Sequence, residues 1–126
     1  MPVRYSRAMI AFVAPPPPSV VGSLTTMTVD GRAVRVWRPA GLDEKRPAPV
    51  VWFLDGQNVF DAATSFIGAE WRADEAMTEL GEAGLARKAV LVGLDNGGER
   101  RGDEYLPTRV AFRGSETGGG ADAYLA

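Results

Sequence analysis

The chain contains no cysteine and no histidine among its 126 residues. Without cysteine there is no disulfide, no thiolate nucleophile and no zinc–thiolate or iron–sulfur site. Without histidine there is no Ser-His-Asp or Cys-His catalysis and no imidazole metal ligand within these residues. Neither sign of charge is in excess: 14 Lys and Arg stand against 16 Asp and Glu, a net charge of -2. That balance exerts no general pull toward nucleic acid or anionic lipid, so neither is an expected partner. No apolar run approaches the length of a bilayer span, and no membrane association is expected. What remains is a globular composition, 45% hydrophobic and 24% charged, in a length that suits one domain with a core.

Residues 1–22 read as a flexible, Pro-rich leader. Arg4 and Arg7 precede the short apolar stretch Ala8 to Ala14, and Pro15 to Pro18 follow. The charge order is that of an export signal, but the apolar run is at the low limit and no A-x-A site follows. The prolines favour polyproline II and cannot continue a helix. The expected location is cytoplasmic, with export left open by this leader.

From Leu24 the pattern becomes regular. Thr26 to Val29 and Ala33 to Trp37 alternate, and Asp30-Gly31 between them meets the positive-φ requirement of a two-residue turn. The reading is an antiparallel hairpin with Met27, Val29, Val34 and Val36 on its inward face. Pro39 to Pro49 is a polar connection. Val50 to Leu54 and Ala89 to Leu94 are continuous apolar runs, the mark of parallel strands covered on both faces. Between them, about Glu70 to Ala83, the spacing of Ala73, Met77, Leu80 and Ala83 predicts a helix with one apolar stripe. Gly84 suits the left-handed position after the helix, with Leu85 folding back on the last turn. Strand, helix, strand gives one βαβ unit. Asp95 to Gly120 is Gly-rich and polar, and Ala121 to Ala126 looks like the opening turn of another helix. Two strands that want cover on both faces therefore receive one helix, and the expected class is α/β with an incomplete domain over 23–126.

In open α/β sheets ligands bind beyond the carboxyl ends of the parallel strands. Two loops lie there: Asp55-Gly56-Gln57-Asn58, and Asp95 to Arg101. Gly56 allows a sharp turn that leaves backbone N–H groups uncovered, as an oxyanion hole requires. Taken alone, Asp55-Gly56 reads as a strand-ending turn. Arg100 and Arg101 beside Glu99, Asp103 and Glu104 read equally as a substrate rim or as a self-paired charge cluster. Asp95-Asn96-Gly97-Gly98 lacks the spacing of an EF-hand. Asp55, Asp61, Asp95, Asp103 and Glu104 would hold a hard cation only if they converged, and no metal is expected. No phosphate-cradling glycine motif occurs, and no cofactor is expected. Trp37, Trp52 and Trp71 offer a sugar platform, but core packing is the expected use of at least Trp52.

The order of residues resembles a known family. Leu54-Asp55-Gly56-Gln57-Asn58-Val59-Phe60-Asp61, then Ala63 to Phe66, then Trp71 with Asp74-Glu75-Ala76, resembles the putative-esterase group of the α/β hydrolases. Val92 to Arg101 with Asp103-Glu104-Tyr105 looks like that family's next strand and loop. Gly118 to Gly120 and Ala123 to Leu125 look like its entry into the helix before the nucleophile strand. The resemblance implies an incomplete α/β-hydrolase fold, the hairpin followed by the βαβ unit, in a serine hydrolase of carboxylic esters. It implies a G-x-S-x-G nucleophile elbow, an acid and a His, none of which this chain carries. No catalytic residue is therefore expected up to Ala126, and the triad is expected beyond it. Ser115 has the wrong glycine spacing and reads as a loop serine.

The resemblance further implies that Asp55, Gly56 and Gln57 form the oxyanion loop, with Asn58, Asn96, Arg100 and Tyr105 on the substrate rim. Where some relatives have a His before the Asp, this chain has Leu54, so a polar contact is lost. The expected partner is a small-molecule ester in the full-length form, such as an acylated carbohydrate, and the chain alone is expected to be inactive. The alternatives are a non-catalytic module that binds carbohydrate or another small molecule, and an assembly partner that self-associates through the unfinished sheet.

Overall fold

The computed structural model describes residues 19–126. Strands β1 (Ser23–Val29), β2 (Arg32–Arg38), β3 (Val50–Leu54) and β4 (Val90–Leu94) form one mixed sheet in the order β1-β2-β4-β3. β1 and β2 pair antiparallel across Asp30 and Gly31, whose φ values of 49° and 76° belong to a type I′ turn. β3 and β4 pair parallel in the register Val50↔Val90 to Leu54↔Leu94, and helix α1 (Ala73–Glu82) lies between them in the chain. Among the described residues β3 is a sheet edge.

α1 begins three residues later than the apolar spacing predicts, because Arg72 takes a left-handed φ of 59°. The Trp71 N–H donates to the Asn58 carbonyl at 2.8 Å, which ties this approach to the loop after β3. At the other end Gly84 has φ 68° and the closing bonds are both present. Leu85 N donates to Leu80 O at 2.9 Å and Gly84 N to Gly81 O at 3.3 Å, the pattern of a Schellman cap. The Leu85 side chain itself is exposed.

The strand period of two divides the sheet into faces, and only one is well covered. Leu24, Trp37 and Leu91 stand in one row across β1, β2 and β4. Trp37 and Leu91 form the core with Val59, Phe60 and Ala89, and Phe53, Ala73 and Met77 pack against it. On the opposite face Met27, Val34, Leu94 and Leu54 make one row, and Val36, Val92 and Trp52 another. This second face contains the four hairpin residues expected to point inward. Met27 is 45% exposed and Val29 49%, so for these two the expectation is corrected, whereas Val34 and Val36 are half-buried beside the buried Val92. Trp52, expected in the core, is 65% exposed on the same face, and Trp37 is the buried tryptophan instead.

Val20 packs against the core, the Trp37 indole N–H donates to Val21 O, and Val21 N donates to Asp74 Oδ2 at 2.7 Å. These residues fall within the stretch 1–22 read as a leader; the rest of that reading, residues 1–18, lies outside the described residues.

Asp95 to Gly120, read as Gly-rich and polar, contains α2 (Arg101–Tyr105) and a second sheet of β5 (Arg109–Phe112) with β6 (Ser115–Gly118). Arg113 and Gly114 carry φ values of 51° and 84° in its turn. Ser115 therefore opens a strand and is not a loop serine. Asp103 holds this hairpin to α2, accepting from Gly118 N at 2.8 Å and Thr117 Oγ1 at 3.1 Å. The chain then reaches a short helix, α3 (Ala121–Leu125), where the sequence places an opening helical turn. Ala126 follows as its cap, donating its N–H to Asp122 O at 3.1 Å. Among the described residues no helix is long and apolar enough to cross a membrane.

Candidate functional site

The two loops that follow β3 and β4 meet at the carboxyl end of the parallel pair. Asp55 ends β3 in the left-handed region at φ 54°, a conformation that Asp tolerates better than most residues. Gly56 to Asn58 then make one 3-10 turn. The left-handed residue of this turn is Asp55 and not the glycine. Gly56 is required by packing: a Cβ there would stand 2.5 Å from Gly93 C and 2.8 Å from Gly93 O in β4. Gly93 reciprocates, since its own Cβ would meet Gly56 Cα at 2.9 Å. A glycine within a strand signals such a close approach, so Gly93 is a readable clue.

Asp55 is buried and fully engaged. Arg101 grips its carboxylate through both oxygens, Nε to Oδ1 and Nη2 to Oδ2, each at 2.8 Å. Asn96 Nδ2 donates to Oδ1 at 2.7 Å, and the Asp55 N–H donates to the Tyr105 hydroxyl at 3.3 Å. Hydrogen bonding to Arg101 is the first reason that the Asp55 carboxyl lies below its ordinary range, helped by Asn96 and Tyr105 against burial. Burial pushes the Tyr105 hydroxyl up to about 12, and the Arg101 guanidinium stacks over its ring at 4.8 Å. Arg101 is thus neither paired with its neighbouring acids nor free for a ligand. Arg100 contacts Glu104 at 3.9 Å from a side chain that is 73% exposed.

The carboxylates that flank these loops do not converge on a cation. Asp95 accepts two bonds from Arg35, at 2.7 and 2.8 Å, which ties the loop after β4 to β2. Glu104 accepts from Arg32 at 2.7 Å, and Asp103 is committed to β6. Each acid has found a cation or N–H of its own. Arg32 and Arg35 belong to this framework, although the alternation of β2 gives no sign of it.

Between the loops lies a cavity of about 540 Å³, lined by Asp55, Gln57, Asn58, Thr64, Phe66, Asn96, Gly98 and Arg101. Of the residues assigned to a substrate rim, Asn58 and Asn96 line it, whereas Arg100 and Tyr105 do not. Ala126, the position beyond which the triad is expected, is exposed after α3 and is no part of this wall. The polar side chains of the wall are partly spent on holding it. Asn58 Oδ1 accepts from Phe66 N at 2.8 Å, Gln57 Oε1 from Asn96 N at 3.2 Å and Asn96 Oδ1 from Gly98 N at 2.9 Å. Within the turn, Asn58 N donates to Asp55 O at 2.9 Å and Val59 N to Gly56 O at 3.2 Å. The N–H groups of Gly56 and Gln57 have no backbone acceptor among the described residues. Of the two residues, Gln57 lines the cavity, whereas Gly56 is buried and is no part of its wall.

A family model described as "Putative esterase" matches residues 26–125. No curated protein matches the chain. Among solved structures the chain is similar to the crystal structure of BES protein from Bacillus cereus, with 20% identity and a TM-score of 0.52. The match covers 82% of this chain and 40% of that one. At this identity the likeness bears on the fold alone.

Proposed function

The chain belongs to the Putative esterase family, and on that premise we propose that it is the N-terminal part of a serine carboxylic-ester hydrolase. Its contribution is the oxyanion loop, in which the backbone N–H groups of Gly56 and Gln57 receive the carbonyl oxygen of a small ester. The observation that carries this reading is the turn after β3, where the Gly56 and Gln57 N–H groups have no backbone acceptor among the described residues and Gln57 lines the cavity of about 540 Å³. Asp55 acts as a positioning residue: with Arg101, Asn96 and Tyr105 bound to it, it fixes the turn that presents those donors. Asn58 and Asn96 form the rim that the substrate meets.

Two further observations support an incomplete hydrolase fold. The chain spans two fifths of the length of the structure it resembles, and one face of the sheet leaves Met27, Val29, Trp52 and Leu54 exposed toward the β3 edge. More of the same domain, beyond Ala126, would cover that face and supply the nucleophile, acid and His. With no histidine in the chain, a Ser-His pair cannot form within it.

The expected result is therefore no hydrolysis of p-nitrophenyl acetate by the purified 126-residue chain above a heat-inactivated control, and no labelling by a fluorophosphonate. Turnover that saturates with ester, or stoichiometric labelling of Ser115, would overturn the reading.

A further inference from the structure

Away from the cavity, Glu70, Asp74 and Glu75 gather where the N-terminal segment meets the start of α1. One carboxylate oxygen of each lies within 4.8 Å of the other two. Asp74 is fully buried, and Glu70 and Glu75 are half-buried. None of the three lines the cavity.

The local donors do not satisfy this group. Asp74 Oδ2 accepts from Val21 N at 2.7 Å, but among the described residues Asp74 Oδ1 is buried without a partner. Among the same residues Glu75 Oε2 is likewise buried and unpartnered. Glu70 accepts from the Arg72 N–H. Among the described residues the nearby cation is the Arg72 side chain, 3.9 Å from Glu75 Oε1 and 69% exposed, so it is well hydrated and compensates little. The partial positive charge at the helix start favours acids there, but it amounts to about half a charge against three carboxylates. Unpaired buried carboxylate oxygens are costly, and a shared proton or a bound cation is the usual remedy.

We propose that Glu70, Asp74 and Glu75 bind a hard divalent cation of calcium size, which pins the N-terminal segment at Val21 to the first turn of α1. The donors are all oxygen, as such an ion prefers. The three oxygens lie within 4.8 Å of one another, close enough for one ion with Ca–O distances of about 2.4 Å to touch all of them. The two unpartnered buried oxygens, Asp74 Oδ1 and Glu75 Oε2, are the atoms that gain most. This site stands independently of the esterase reading.

Terbium, an oxygen-seeking ion excited through nearby indole, is the probe, because Trp71 directly follows Glu70 in the chain. Titrating the purified chain with Tb³⁺ is expected to give saturable Trp-sensitised emission at one ion per chain, displaced by Ca²⁺. Glu75→Gln and Asp74→Asn are expected to weaken it by about tenfold or more. Asp74 also anchors Val21, so circular dichroism accompanies each variant, and Glu75→Gln carries the test if Asp74→Asn unfolds. Emission that never saturates would mean that a proton alone settles the cluster. Unchanged binding in Glu75→Gln would put the ion elsewhere. Either result overturns the proposal.

Discussion

Gly56→Ala is expected to abolish the cooperative urea unfolding transition, or to lower stability by about 3 kcal/mol or more. Overpacking a filled site costs about 1–3 kcal/mol when side chains can move aside, and more when they cannot. Here the added methyl would meet Gly93 C at 2.5 Å and Leu94 C at 2.8 Å, both backbone atoms of β4. β4 is held between β2 and β3, so relief would require breaking ladder hydrogen bonds on one side. The reference is Gly31→Ala, where the new Cβ meets nothing within 4 Å and only the φ of 76° is unfavourable. That change is expected to cost about 1 kcal/mol. If the two variants unfold at the same urea concentration, the close contact of the β3 turn with β4 is wrong.

Arg101→Ala is expected to lower stability at pH 7 by about 2 kcal/mol, and to lower it much less below about pH 4. The guanidinium makes two charge-assisted bonds at 2.8 Å to a buried carboxylate, but it is itself half exposed, which tempers the loss. The sign follows from linkage. Asp55 titrates below its ordinary value in the folded chain, so between the folded and unfolded values the unfolded chain binds more protons. Stability from the pair is thus fully present above about pH 4, the unfolded value, and is lost as pH falls through the folded one. In Arg101→Ala the buried carboxylate keeps its desolvation cost without its cation. Protonation relieves that cost, so the gap between variant and parent narrows in acid. Urea midpoints of both proteins across this range check the prediction; a gap independent of pH would show that Arg101 acts through packing alone.

Features set by neighbours in sequence are legible in the chain. Asp30-Gly31 announces its turn because few residue pairs accept two positive φ values, and Gly84 announces the helix stop for the same reason. The loop Asp55 to Asn58 is legible as a turn because it follows an apolar strand. What a period of two cannot say is which face receives a cover. Met27, Val29, Val34 and Val36 share a face as the alternation requires, yet the core forms around Trp37 and Leu91 on the other. Long-range polar pairing is equally hidden. Arg101 sits among acids at positions 99, 103 and 104, and its partner is Asp55, 46 residues away. The β5–β6 hairpin escapes a reading of the sequence because Arg113 holds a left-handed turn position that bulky residues seldom adopt.

The central claim is that Gly56 and Gln57 present their N–H groups to an oxyanion. The most direct test follows the backbone amides of the chain by NMR while methylphosphonate monoester, a tetrahedral anionic mimic of the acyl intermediate, is added. The account predicts saturable shifts largest at Gly56 and Gln57, with smaller ones at Asn58 and Asn96 on the rim. Shifts spread over exposed arginines, with Gly56 and Gln57 unmoved, would contradict it.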